Sequence, residues 1–277
     1  MKLKKIKDVF IRVKKLVRLG LTSKNRFLDD ALFQVELDKL IDKEEKYNQY
    51  FDYLSHKSFT YGFAMYNKNL KWIDDKTFLD LIKGSPDPNQ RYDRKFVAWQ
   101  LAKYTSNLEG DTVECGVLRG ATSYLICKTI DKRMKINHHI FDSFEGLSKP
   151  LNEDLPGSDR AFKWNEGDLS VPLEKVKDNL REFDFIKYYK GWIPSKFHEV
   201  EDLKFKFVHV DVDLYQPTKD SLDFFYSKLV PGGILLCDDY GFYTCEGANK
   251  AFNELVKEHN IPNVIHLPTG QGYIIKL

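Results

Sequence analysis

Four aspartates fall in two tight groups of this 277-residue chain, His209-Val210-Asp211-Val212-Asp213 and Cys237-Asp238-Asp239-Tyr240-Gly241. Each group closes a run of β-branched and apolar residues, which places each at a strand end. Residues i and i+2 of a strand share a face, so Asp211 and Asp213 are expected to point the same way, with Asp238 and Asp239 emerging from a neighbouring strand. Carboxylates gathered this closely repel unless something neutralises them. A hard divalent cation with oxygen ligands does so without help from Cys or His; Mg²⁺ fits, and Mn²⁺ or Ca²⁺ would accept the same donors. The plainer alternative, that each Asp only caps its own turn, accounts for one such residue more easily than for four.

A second set of residues has the types that hold an anion and a nucleoside. Glu114-Cys115-Gly116-Val117-Leu118-Arg119-Gly120 is an E-x-G-x-x-x-G turn leading from a strand into a helix. Its glycines let backbone approach a ligand and leave helix amides free, which suits an amino-acid carboxylate. Asp142-Ser143 ends the next strand, where an acid commonly meets a ribose hydroxyl. Glycine turn and acid together suggest an adenosine-type ligand. The turn lacks G-x-G-x-x-G, which disfavours a nicotinamide dinucleotide and the oxidoreductase reading that goes with it. His138, His139 and His209 read as core histidines with satisfied hydrogen bonds rather than as catalytic groups.

Such residues need a scaffold that gathers several strand ends. Short hydrophobic runs at 112–117, 138–142, 185–189, 205–213 and 234–238 alternate with helical segments at 121–130, 172–180, 217–229 and 248–259, the third helix stopping at Pro231-Gly232-Gly233. Two further runs, 263–267 and 272–277, lie close enough to form a terminal hairpin. Alternation of this kind predicts an α/β fold with a mostly parallel sheet covered on both faces. Residues 22–108 read as helical and aromatic-rich, with a break at Gly84-Ser85-Pro86-Asp87-Pro88. The expected organisation is a helical extension over 1–108 and an α/β domain over 109–277.

Composition limits the function classes. With 42% hydrophobic and 30% charged residues the chain can bury a sizeable core. No apolar stretch reaches the roughly 20 residues of a membrane span, and the N-terminus lacks a secretory signal, so a cytoplasmic protein is expected. Cys115, Cys127, Cys237 and Cys245 show no Cys-x-x-Cys spacing and suggest neither zinc nor disulfides. Net charge is +2, yet residues 1–18 hold eight Lys/Arg against one Asp, so the rest of the chain is mildly acidic and no nucleic-acid footprint is expected. Ile6, Phe10, Val13 and Val17 recur at helical spacing among those basic residues. A basic amphipathic helix over 1–21 can lie peripherally on an anionic membrane, or dock on its own domain or on a partner subunit in a homo-oligomer.

Taken in order, the blocks between 110 and 259 resemble the macrocin O-methyltransferase family. They are Gly110-Asp111-Thr112-Val113-Glu114-Cys115-Gly116-Val117 with Arg119-Gly120; Phe141-Asp142-Ser143-Phe144-Glu145-Gly146-Leu147; Lys190-Gly191-Trp192; Asp211-Val212-Asp213-Leu214-Tyr215; and Pro231-Gly232-Gly233 through Asp238-Asp239-Tyr240-Gly241 to Gly247-Ala248. The resemblance implies a class I S-adenosylmethionine-dependent methyltransferase fold, Rossmann-like and seven-stranded, with S-adenosylmethionine and Mg²⁺ as cofactors. It implies Asp211, Asp238 and Asp239 as metal ligands and Asp213 as general base. Glu114, Cys115, Gly116, Val117, Asp142, Ser143, Gly191 and Trp192, with Asp168, would form the cofactor pocket. The acceptor it implies is a sugar hydroxyl of a small molecule or glycan. A metal held by three carboxylates has room to chelate two neighbouring oxygens, so a vicinal diol is expected, with a catechol as the other chelating class and a non-catalytic binder as the other functional class. Two positions depart from the family pattern: Ser195-Lys196 stands where an Asp-Thr pair is usual, and Tyr215-Gln216-Pro217-Thr218 replaces Tyr-x-Ser-Thr.

Overall fold

A computed structural model describes residues 75–87, 92–131, 133–155, 163–262 and 264–277. They belong to one compact unit, Leu70–Leu277. The basic helix expected over 1–21, and the rest of the extension up to residue 74, lie outside the described residues.

Seven strands form one sheet in the order β3-β2-β1-β4-β5-β7-β6. They are β1 (Asp111–Cys115), β2 (His138–Asp142), β3 (Ile186–Lys190), β4 (Phe205–Val210), β5 (Leu229–Cys237), β6 (Val264–His266) and β7 (Gly272–Ile275). Strands β1 to β5 pair in parallel, while β7 runs antiparallel to both β5 and β6, as the expected terminal hairpin requires. The chain builds outward from β1 to β3 and then returns to the other side of β1 with β4. That reversal opens a crevice at the carboxyl ends of β1 and β4, the place where sheets of this kind bind ligands.

Six helices of the described residues cover the sheet: α1 (Lys76–Lys83), α2 (Tyr92–Tyr104), α3 (Ala121–Cys127), α4 (Leu173–Asn179), α5 (Tyr215–Lys228) and α6 (Glu246–Glu258). Asp75 starts α1 by accepting the Phe78 amide, and α1 ends at Gly84, at the break read from the sequence. Leu222 and Phe225 of α5 and Ala251 and Phe252 of α6 pack on Val113, Val208, Val210 and Leu235. On the opposite face Phe78, Ile82, Phe96 and Trp99 of α1 and α2 join Tyr124 and Leu125 of α3 and Ile140 of β2. Helices α1 and α2 thus share the core of the sheet, and the residue 108/109 boundary falls inside one packed unit.

Two element ends differ from expectation. Helix α5 stops at Lys228, and β5 runs through Pro231-Gly232-Gly233 instead of starting after it. The Gly232 amide donates to the Lys276 carbonyl and the Lys276 amide to Gly233, so pairing with the chain end draws this stretch into the ladder. Strand β4 stops at Val210, not at 213. The Leu214 amide turns back onto the Val212 carbonyl, and Asp213 takes a left-handed φ of +59°. Asp is among the few residue types that tolerate that conformation.

Candidate cofactor pocket and carboxylate centre

One cavity of about 490 Å³ lies at the carboxyl ends of β1, β2 and β4, where the crevice opens. Glu114, Gly116, Val117, Asp142, Ser143 and Trp192 line it from the β1–β2 side, and Asp211, Asp213 and Asp238 from the β4–β5 side. Cys115, Asp168, Gly191 and Asp239 stand outside the lining. The Cys115 side chain points into the apolar layer beneath α5, where burial pushes its thiol up. Asp168 accepts the Asn165 amide in a local turn, and Gly191 donates its amide to the Asp142 carbonyl.

At Gly116, φ is +82°, and a Cβ there would lie 1.9 Å from the Asp211 carbonyl oxygen. Only glycine lets the β1 turn pass this close to the loop after β4, so this residue brings the two ends of the cavity together. Asp142 fastens the turn to β2 by accepting the amides of Val117 at 2.8 Å and Phe144 at 2.6 Å. Burial raises its pKa, against those amide bonds. The Ser143 hydroxyl donates to the Gly146 carbonyl and accepts the Glu145 amide. Trp192 sits on the rim, 44% exposed.

Glu114 is buried in a polar network along the α2/α3 side of the sheet. Its carboxylate accepts from the Ser123 hydroxyl and faces His209 Nδ1 at 2.9 Å, while His209 Nε2 lies 3.2 Å from Asp238 Oδ1. Ser123 in turn meets His138 Nε2 at 2.9 Å, and His138 Nδ1 meets the Thr112 hydroxyl at 2.8 Å. Because Ser123 spends its proton on Glu114, it accepts from His138 Nε2–H, which leaves Nδ1 to accept from Thr112. These are satisfied core histidines, as expected. Burial raises the Glu114 pKa, opposed by His209 and Ser123, and lowers that of His138 to about 3.

Asp211 and Asp213 do not share a strand face, contrary to expectation. Since β4 ends at Val210 and Asp213 turns into left-handed backbone, Asp211 groups with His209 and Asp238, whereas Asp213 groups with Asp239 and Cys245. The Asp213 amide donates to Asp239 Oδ2 at 3.1 Å, and the Cys245 thiol approaches Asp213 Oδ1 at 3.7 Å. Burial, reinforced by the charges of Asp239 and Asp211, holds the Asp213 carboxyl well above the usual range. Asp239 is raised to about 6 by burial and by Asp211, against Arg94.

Arg94 of α2 is the residue the sequence reading missed. Its Nη2 contacts Asp238 Oδ2 and lies 3.3 Å from Asp239 Oδ1 and 3.8 Å from Asp211 Oδ1. Burial by itself lowers the pKa of Arg94, but Asp211 and Asp239 outweigh it and hold it above its ordinary value. The available signal was spacing: Arg94, Ala98 and Ala102 recur every four residues, which puts an arginine on a core-facing stripe. Arg94 Nη2 thus lies within 4 Å of an oxygen of each of Asp211, Asp238 and Asp239, and hard carboxylate donors of this kind suit a divalent ion such as Mg²⁺.

The sheet order, the antiparallel β7 and the glycine turn at the switch point define the class I S-adenosylmethionine-dependent methyltransferase fold. Among solved structures, the O-methyltransferase NovP superposes with a TM-score of 0.57 at 23% identity, covering 73% of this chain and 99% of that one. The calicheamicin methyltransferase CalS11 gives 0.56 at 17% identity, covering 79% and 95%. Residues 97–267 match the family described as Macrocin-O-methyltransferase (TylF), and the chain belongs to that family. A tetracenomycin-pathway 4'-O-methyltransferase of Streptomyces olivaceus is 31% identical over 147 residues, which are 50% of this chain and 56% of the relative. The mycinamicin III 3''-O-methyltransferase of Micromonospora griseorubida is 29% identical over 173 residues, 59% of this chain and 66% of the relative. The matches thus span between about half and two thirds of the length of these curated relatives. No helix among the described residues is long and apolar enough to cross a membrane.

Proposed function

We propose that this protein is an S-adenosylmethionine-dependent O-methyltransferase that acts, with a divalent cation, on a sugar hydroxyl of a glycosylated small molecule or glycan. The observation that carries the reading is the single cavity joining the Gly116-Val117 turn and Asp142 to Asp211 and Asp213. The family relatives named for methylating glycosylated natural products support the acceptor class.

A sugar hydroxyl is a weak nucleophile at neutral pH and must lose its proton as it attacks. Bound S-adenosylmethionine supplies an electrophilic sulfonium methyl group. A divalent cation held by Asp211, Asp238 and Asp239 would supply Lewis acidity toward the acceptor oxygen, and a vicinal diol is the geometry best suited to it. Asp213 takes the hydroxyl proton while the oxygen–carbon bond forms and the sulfur–carbon bond breaks, which leaves a methyl ether, S-adenosylhomocysteine and a protonated carboxyl. Burial and the neighbouring acids raise its pKa, which makes the ionised carboxylate a stronger proton acceptor than an exposed one. Asp142 and Ser143 would meet the ribose, Gly116 and Val117 would allow the backbone approach of the methyl donor, and Trp164 and Trp192 in the cavity lining would offer flat apolar faces to a sugar ring.

Calorimetry with S-adenosylhomocysteine and with NAD⁺ tests the cofactor, and labelled methyl transfer to sugar nucleotides, glycosides and catechols, with and without chelator, tests the reaction. Binding of S-adenosylhomocysteine alone and chelator-sensitive labelling of diol-bearing sugars are expected. NAD⁺ binding, or transfer that chelator leaves unchanged, would overturn the cofactor or the metal part respectively. Labelling of catechols alone would replace the acceptor class.

A further inference from the structure

The carboxylates assigned to a divalent cation already share a cation of the chain itself. Arg94 Nη2 stands between Asp211, Asp238 and Asp239, within 4 Å of an oxygen of each. The arginine is built in rather than folded over from the surface. Its side chain is 7% exposed, and its guanidinium lies 4.6 Å from the centroid of the Phe242 ring. Gln271 Nε2 ties the Arg94 carbonyl at 3.3 Å and donates also to Asp238 Oδ1 at 2.5 Å, which links helix α2 to the carboxylate that Arg94 touches. The Arg94 Nε is buried without a hydrogen-bond partner, so the guanidinium fork is incompletely satisfied in this position.

We infer that Arg94 is an internal counter-ion that competes with the divalent cation, so that metal enters only as the guanidinium withdraws, and that Arg94 thereby sets the metal affinity of the site. The inference rests on the reading that Asp211, Asp238 and Asp239 are the metal ligands. Two cations cannot occupy one position among the same three oxygens. A cation held by these acids would stand against the Arg94 guanidinium, and the burial of Arg94, Asp238 and Asp239 leaves the repulsion only weakly screened by water. Arg94 also compensates the three acids before metal arrives, as the one positive side chain among the described residues within 4 Å of an oxygen of each, since removing the counter-charge of buried carboxylates is costly. The unpartnered Nε marks a side chain whose bonding in this position is not complete, as a displaceable ion requires.

The test is Mn²⁺ binding to the full chain, read by the electron paramagnetic resonance of the free ion, for the wild type, Arg94→Met, and Arg94→Met combined with Asp239→Asn. Arg94→Met is expected to bind one Mn²⁺ per chain at least tenfold more tightly than the wild type, Mg²⁺ should displace it, and the double variant should lose the gain. Equal affinity in wild type and Arg94→Met overturns the competition while leaving the metal site standing. No binding by either overturns both. A gain that survives Asp239→Asn puts the ion elsewhere and overturns the inference as well. Should Arg94→Met be unstable without metal, Mn²⁺ is expected to raise its melting temperature more than that of the wild type, and an equal or smaller rise overturns the proposal.

Discussion

Under α5 and α6, alternate residues of the central strands, Val113 and Cys115, Val208 and Val210, Leu235 and Cys237, meet Leu222, Phe225 and Phe252 in a mainly apolar layer. The intervening residues of the same strands face α2 and α3, and there β1 carries Thr112 and Glu114, β2 carries His138 and β4 carries His209. One face is therefore filled chiefly by shape, while the other adds to its apolar clusters a chain of hydrogen bonds that runs from Thr112 to Asp238 and Arg94. The polar side costs more to bury and demands a partner for every group. It also ends at the cavity, so its order is passed directly to the residues that would handle the substrate.

This contrast can be broken in four ways. Asp213→Asn, at the cavity end of the polar side, is expected to lower kcat by about 10²- to 10⁴-fold while S-adenosylhomocysteine affinity stays near the wild-type value. Single-turnover kinetics beside calorimetry check this, and a loss of cofactor affinity of equal size would remove Asp213 from the role of base. Phe225→Ala, in the apolar layer, should cost about 3–5 kcal/mol of stability in urea unfolding and leave cofactor affinity per folded molecule unchanged. If cofactor binding weakens with it, the two faces are not independent.

His209→Leu removes the bridge between Glu114 and Asp238. A loss of about 3 kcal/mol is expected, together with weaker S-adenosylhomocysteine binding, because two buried carboxylates lose a partner and both of them line the cavity. A stability loss without any change in binding would make the polar network a matter of folding alone. The smallest effect concerns His138. Its folded pKa of about 3 lies below the ordinary value of 6.5, so as pH falls below about 6.5 the unfolded chain takes up the proton first and stability drops. The slope contributed approaches about 1.4 kcal/mol per pH unit on the way to pH 3. His138→Gln should flatten the stability curve between pH 6 and 4, and an unchanged slope would assign the acid sensitivity to other groups.

Strand positions, parallel sheet, terminal hairpin, glycine turn and clustered acids could all be read along the chain, because each rests on local periodicity or on neighbouring residues. The Gly116 turn was visible as E-x-G-x-x-x-G, and Asp142 as an acid closing a hydrophobic run. The ends of the elements were not. Whether Pro231-Gly232-Gly233 stops a helix or joins a strand depends on Lys276 pairing with it, and whether Asp213 lies on a strand face depends on where β4 loses its neighbours. Nor could the chain order reveal which cation meets the acids. Repulsion among Asp211, Asp238 and Asp239 demands compensation, and the sequence dictates that demand, but only packing α2 against the strand ends brings Arg94 into the gap. Charge neutralisation acts through space, between residues far apart in the chain, so the tertiary structure alone decides what supplies it.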